Sequence, residues 1–374
     1  MKVMELHLIQ TVPPSNTNRD EAGFPKSARF GGVQRMRLSS QAQKYAIRKH
    51  LEEVLEREKL AVRTRHPARA LQRYLEREED DLREALELLG LKHNKDGALE
   101  AAIFLPWTQV EALARLVEEN WETLAQLIAQ RREAKAKDRG KIKAPPELVK
   151  QTERILKSGT AGDMALFGRM MASHPEANVE AAAHVAHAIS THGAPVEGDF
   201  FITSDDLANK SEAGAAMMGE RNFTAATFYR YAAVDAGELA DNLDGDEETA
   251  RAFLQAFARA FVEKLPGGMQ ASHAAYTLPE AVLVVVHEGE PRSLAGAFDQ
   301  PVHSAQGGYG APSARRMLRQ WRDLNAMYGP QPGAKAFWVA LPSLGVAPEE
   351  GDGIEARASV REALEEAVKA VMGG

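Results

Sequence analysis

Cysteine is absent from this chain of 374 residues. That excludes disulfides, thiolate metal sites and a cysteine nucleophile, and it fits an intracellular protein. No hydrophobic run approaches the length of a membrane span; the strongest, AVLVVVHE at 281–288, is strand-sized. Glu5, His7 and Gln10 interrupt any apolar signal core near the start. A cytoplasmic protein with no membrane partner is therefore expected.

Motifs of catalysis and cofactor binding are missing as well. Gly31-Gly32 stands in neither a G-x-x-x-x-G-K-[ST] nor a G-x-G-x-x-G context, and GG ahead of a helix reads better as a turn. No H-E-x-x-H occurs, and His184, His187 and His192 do not share one helical face, so they read as packed or capping histidines. No serine lies in a G-x-S-x-G context. The best carboxylate pair, Asp205-Asp206, sits in a polar loop where acids serve solvation. No metal site, no cofactor and no catalytic residue is expected, and the chain reads as a non-enzyme.

What is present is an uneven charge. Residues 1–50 hold nine Lys/Arg and three Asp/Glu, a local +6 in a chain of net charge −7. A placed polyanion site explains this better than general stickiness. Five cations, Arg19, Lys26, Arg29, Arg35 and Arg37, fall in one Pro/Asn/Gly-rich loop. Lys44 and Arg48 follow, four apart on one helical face. Ser40 and Gln43 form a capping-box pattern, and Gln41 lies in the first turn, where backbone N–H groups favour an anion. The residues alone leave two readings open, a polyanion site or a solvated basic face. A second basic run, residues 131–157, holds ten Lys/Arg and four Asp/Glu.

The periodicities predict a half-buried strand at 2–12 with Met4, Leu6 and Leu8 on one face, then a helix from Ser40 to about Arg57. An almost wholly helical insert follows at 58–157. A strand is predicted at 163–172, a helix near 179–191, a loop at 193–223 and a strand at 224–235. A helix at 247–264, a strand at 281–287, a helix at 313–328, a strand at 335–341 and a terminal helix at 355–372 complete the order. With its insertions set aside this is β-α-β-β-α-β, the α+β class with a ferredoxin-like or RRM-like pattern. Within the loop at 193–223, the exposed pair Phe200-Phe201 fits either a base-stacking wedge or a small apolar anchor.

Several segments together resemble one family. NxNRD…KxxxFGGxxRxRxSSQxxKxAxRK at 16–49, GRMMAS at 168–173, AHAISTHG…DFFITSDDL at 186–207, FTAATFYRYAAVD at 223–235 and SARRMLRQWRDLNAMYG at 313–329 are similar to the CasC-type backbone subunit of type I-E CRISPR Cascade. The resemblance implies an RRM-like palm (1–57, 158–192 and 224–374 with C-terminal elements), helical fingers (58–157) and a thumb loop (193–223). It implies a subunit that polymerises along the spacer of a guide RNA, kinks it at intervals and supports target-DNA recognition. Its partners would be the guide (cr)RNA, the target strand, copies of itself, other Cascade subunits and a recruited nuclease-helicase. The RNA-binding residues so implied are Arg19, Lys26, Ser40, Gln41, Lys44, Arg48, Met170 and, as the wedge, Phe201. Charge alone points to Lys137, Lys141 and Lys143 for the target strand. An RRM-like ribonuclease and a protein-interaction module are the alternative functions.

Overall fold

The computed structural model describes residues 2–94, 96–171, 174–203 and 217–373; Asp205 and Asp206 lie outside the described residues. The strands, in chain order, are β1 (Val3–Ser15), β2 (Ser27–Phe30), β3 (Val33–Leu38), β4 (Ala61–Thr64), β5 (Ile103–Pro106), β6 (Ala183–Val185), β7 (Ala188–Ser190), β8 (Glu197–Thr203), β9 (Met217–Asp235), β10 (Ala281–His287), β11 (Lys335–Ala340) and β12 (Ile354–Ala356). The chain divides into two units. One joins Met1–Leu51, Ala183–Gly237 and Leu254–Gly374; the other joins Glu52–Ala182 and Glu238–Phe253.

The first unit is built on a mixed sheet ordered β12-β11-β10-β1-β9-β7-β3-β2, with β6 and β8 also pairing to β9. Its centre is β10-β1-β9-β7, antiparallel throughout. Strand β1 is buried on both faces rather than half-buried, because its polar residues find partners across the ladder. Tyr231 donates to Glu5 Oε1 at 2.6 Å, His7 Nδ1 meets the Tyr229 hydroxyl at 2.9 Å, and Arg230 Nη1 donates to Gln10 Oε1 at 2.6 Å. The apolar run of β10 is buried along its whole length. On one side, Met317, Leu318 and Trp321 of the helix Gly310–Tyr328 pack with Leu283, Val285 and Trp338. The terminal helix Val360–Met372 lies against β10 and β11.

Four segments differ from their sequence pattern. The strand predicted from residue 163 is absent: residues 163–167 lie in a short helix, Gly162–Phe167, that ends where Gly168 turns to φ 77°. A brief apolar run does not distinguish helix from strand, and here Asp163 is used to accept the Ala61 amide at 2.8 Å. The region 179–191 is not a helix but the two short strands β6 and β7, because pairing with β9 overrides the helix propensity of alanine. The basic loop at 16–39 contains the hairpin β2–β3, whose turn is Gly31-Gly32 at φ 59° and 79°, the conformation a two-residue hairpin turn requires. Within the loop predicted at 193–223, residues 197–203 and 217–223 are the paired arms of β8 and β9.

In the second unit, the helices Glu79–Leu88, Trp107–Glu119, Trp121–Glu133 and Pro146–Lys157 bury one core with Leu82, Leu86, Leu113, Val117, Leu124, Ile128 and Leu156. The antiparallel pair β4–β5 interrupts the expected all-helical text. Arg169 is buried in this unit. It donates to the carbonyls of Ala177 (2.8 Å) and Leu156 (2.7 Å) and to Gln109 Oε1 (3.1 Å), and burial pulls its guanidinium down to about 10. Among the described residues, no helix is long and apolar enough to cross a membrane.

Candidate nucleic-acid interface

The segment before the helix Ser40–Val54 is shaped by its own polar side chains. Asp20 Oδ1 accepts the amides of Ala22 (3.0 Å) and Phe24 (2.9 Å), closing a tight turn. Asn16 Nδ2 donates to Gly23 O (2.9 Å) and to Asn222 O (2.7 Å), which ties this turn to the base of the β8–β9 hairpin. Asn18 Oδ1 accepts the Ser39 amide at 2.7 Å, pinning the turn to the residue that starts the helix. In the Asn-Thr-Asn-Arg-Asp stretch the asparagines and the aspartate thus hold the backbone, and Arg19 is left exposed. With Asp20, Glu21, Ala22 and half-buried Lys26, Arg19 lines an open recess of about 590 Å³.

The helix is capped by Ser39, not Ser40: Ser39 Oγ accepts the Ala42 amide at 3.3 Å. Gln43 does not reach back to complete a capping box. Its amide donates to Leu38 O (3.3 Å) and Ala186 O (2.9 Å) instead. Ser40 is half-buried and Gln41 exposed. The Ser40 amide and Arg37 Nη1 both point at His187 Nδ1, at 3.4 and 2.9 Å. Partial burial, then the charges of Arg37 and Lys26, hold His187 below the ordinary histidine pKa, and the two donors aimed at Nδ1 make that nitrogen the acceptor of the neutral ring. His192 is also engaged: Nε2 accepts the Thr227 amide at 3.1 Å, and the ring stacks on Tyr309 at 3.7 Å.

The expected cations separate into two groups. Arg19 and Arg29 are exposed and Lys26 half-buried. Lys44 is half-buried, and burial lowers its pKa. Arg48 is only 8% exposed. Arg35 is fully buried and is spent on the fold. It donates to the carbonyls of Phe30 (3.1 Å), Ser190 (3.1 Å) and Phe298 (2.8 Å), so it does not belong to a phosphate-facing set. The spacing rule that groups Lys44 with Arg48 fixes their helical face but not how deeply that face sits.

Phe201 lies on the hairpin arm β8, opposite Gly219 of β9. Its neighbours Phe200 and Ile202 point to the other face and are each 63% exposed. Met170 belongs to the second unit and is 83% exposed. Lys137 and Lys143 are exposed there too, whereas Lys141 Nζ pairs with Asp138 at 2.7 Å. Asn16 and Asn18, which pin the turn, carry no charge and escape a reading based on charge; Arg221, whose guanidinium lies over the Phe201 ring, falls outside both basic runs. The signal for Arg221 is the alternation of residues 217–223, which continues the strand predicted at 224.

The model of the CT1975-like protein family matches residues 4–369. The chain belongs to this family. Among solved structures, this CT1975-like chain is similar over 99% of its length to all of a chain from a "CRISPR RNA-guided surveillance complex, pre-nicking", with 29% identity and a TM-score of 0.86. A second match, to a "CRISPR RNA-guided surveillance complex", covers 98% of this chain and 99% of that one at 25% identity and a TM-score of 0.73. No curated protein matches the sequence.

Proposed function

We propose that this CT1975-like chain is a non-catalytic backbone subunit of a CRISPR surveillance complex, of the CasC type in a type I-E Cascade. It binds the guide (cr)RNA, polymerises along the spacer, kinks the strand periodically and leaves its bases to pair with target DNA in antiviral defence. The carrying observation is the end-to-end likeness to a chain of a surveillance complex, together with exposed Arg19, half-buried Lys26 and a capped helix start on one surface of the first unit.

The physics supports a grip on the backbone. A guide carries any sequence, so recognition has to rest on phosphate and ribose, through Arg, Lys, hydroxyl, amide and helix N–H groups. Arg19, Lys26, Ser40, Gln41 and Lys44 supply these types. Phe201 is the wedge, Met170 packs beside the kinked strand, and Lys137, Lys141 and Lys143 meet the target strand. Other Cascade subunits and a nuclease-helicase complete a cytoplasmic assembly, and cleavage belongs to the latter.

The test uses the purified full-length chain and RNAs of unrelated sequence. Equal affinities with a steep salt dependence, and no cleavage of repeat RNA, support the reading. Strong sequence preference, or cleavage products, would contradict it.

A further inference from the structure

The β8–β9 hairpin carries different chemistry on its two faces. The ladder pairs Phe201 with Gly219, Ile202 with Met218 and Asp199 with Arg221. Residues two apart share a face, so Phe201, Gly219 and Arg221 are together on one side. Phe200, Ile202 and Met218 are on the other, each more than 60% exposed. On the first side the Phe201 ring has a defined seat. It overlies Gly219 so closely that a Cβ there would come within 2.6 Å of the ring. The Arg221 guanidinium carbon sits 4.5 Å from the ring centroid. Any side chain at residue 219 would take the space the ring occupies, and the cation stacked on the ring favours that position further.

We infer that Gly219 and Arg221 are positioning residues for Phe201: one leaves room for the ring and the other holds it there, so that the aromatic meets the guide RNA already oriented. This rests on the wedge reading of Phe201 and adds two residues to it. Preorganisation matters because a ring swinging between rotamers would have to be ordered again at every subunit of the assembly. Lysine does not substitute for Arg221, since it keeps the charge but not the planar stack.

The experiment compares full-length Phe201→Ala, Phe200→Ala, Gly219→Ala, Arg221→Lys and Arg221→Gln, each assembled on the same guide. Chemical probing of the RNA reads the periodic reactivity, and a salt titration reads affinity. Thermal melts confirm folding; the two Arg221 variants leave the hairpin backbone untouched. Expected are loss of the periodic pattern in Phe201→Ala and Gly219→Ala, and a contrast lowered about two- to fivefold in both Arg221 variants, the worth of an exposed cation–π contact. Phe200→Ala keeps the pattern, and Arg221→Lys keeps the salt slope. If Phe201→Ala loses the pattern while Gly219→Ala and the Arg221 variants retain it, the positioning role is overturned and the wedge stands. If Phe201→Ala retains it, the wedge reading falls and this inference with it.

Discussion

Arg230, on β9, donates from Nε to Gln43 Oε1 at 3.2 Å, inside the first unit. The same guanidinium, fully buried, reaches Gln10 Oε1 at 2.6 Å and the Phe261 carbonyl at 2.6 Å, and burial pulls its pKa down to about 9. No carboxylate takes part in these three bonds; neutral oxygens from a strand and two helices share the charge. The Gln43 bond therefore ties the helix that carries Gln41 and Lys44 to the sheet.

Removing that tie should act on stability first. Gln43→Ala leaves a buried Arg230 N–H without its acceptor, at a cost of about 1–3 kcal/mol. Urea unfolding of the full chain measures it. Affinity for RNA should fall less than in variants of the exposed cations, because Gln43 faces the interior.

The exposed and buried cations should behave differently. Arg19→Ala and Lys26→Ala are expected to weaken binding equally for unrelated guides and to lessen the salt slope by about 0.7 for each phosphate no longer neutralised, with the melting temperature unchanged. Lys44→Ala should do the same to a lesser extent. Arg48→Ala, at a position only 8% exposed, should lower the melting temperature as well. Affinity and melting measured on the same samples separate the two classes.

Much of the fold is legible in the sequence, and the misses share a cause. The buried β10 and the helices Glu247–Glu263 and Gly310–Tyr328 show in the text because their patterns are long. Residues 183–190 read as helix because alanine and histidine carry no strand signal of their own. Only β9, more than thirty residues further on, makes them strands. The charge of the basic segment is visible, but which cation is buried is not. Arg35 and Arg37 are two apart in one strand, yet the first reaches the Ser190 and Phe298 carbonyls and the second His187. A pleated strand puts both on one face, so their different fates are set by what that face meets along its length, which no local pattern records.

Acid should weaken the fold in two stages. Burial alone would raise the pKa of Glu5, but contacts with His287, His7 and Tyr231 outweigh it and hold the carboxyl at about 2. An unfolded glutamate titrates near ~4.3. The folded value being the lower one, this stabilisation is whole above the unfolded pKa and lost as pH falls toward 2. His187 and His192 are also held below the ordinary histidine value, burial being the main cause, so their share is whole above about 6.5 and lost as pH falls. Melting temperature against pH should decline below about 6.5 and again below about 4.3, and Glu5→Gln should flatten the second decline.

Target capture should be separable from guide binding. Lys137→Ala with Lys143→Ala is expected to leave guide affinity unchanged and to weaken capture of a complementary DNA strand by the guide-loaded assembly. Lys141→Ala should matter less, because its ammonium is already paired with Asp138. Equal losses of guide and target binding would remove the distinction.

Photo-crosslinking of the full chain to a guide RNA, with the attached peptides identified by mass spectrometry, tests the backbone grip most directly. Adducts are expected at 19–26 and 40–44, the same for guides of different sequence. Adducts confined to other surfaces, such as Arg315 and Arg319 on the helix Gly310–Tyr328, or adducts that move with guide sequence, would contradict it.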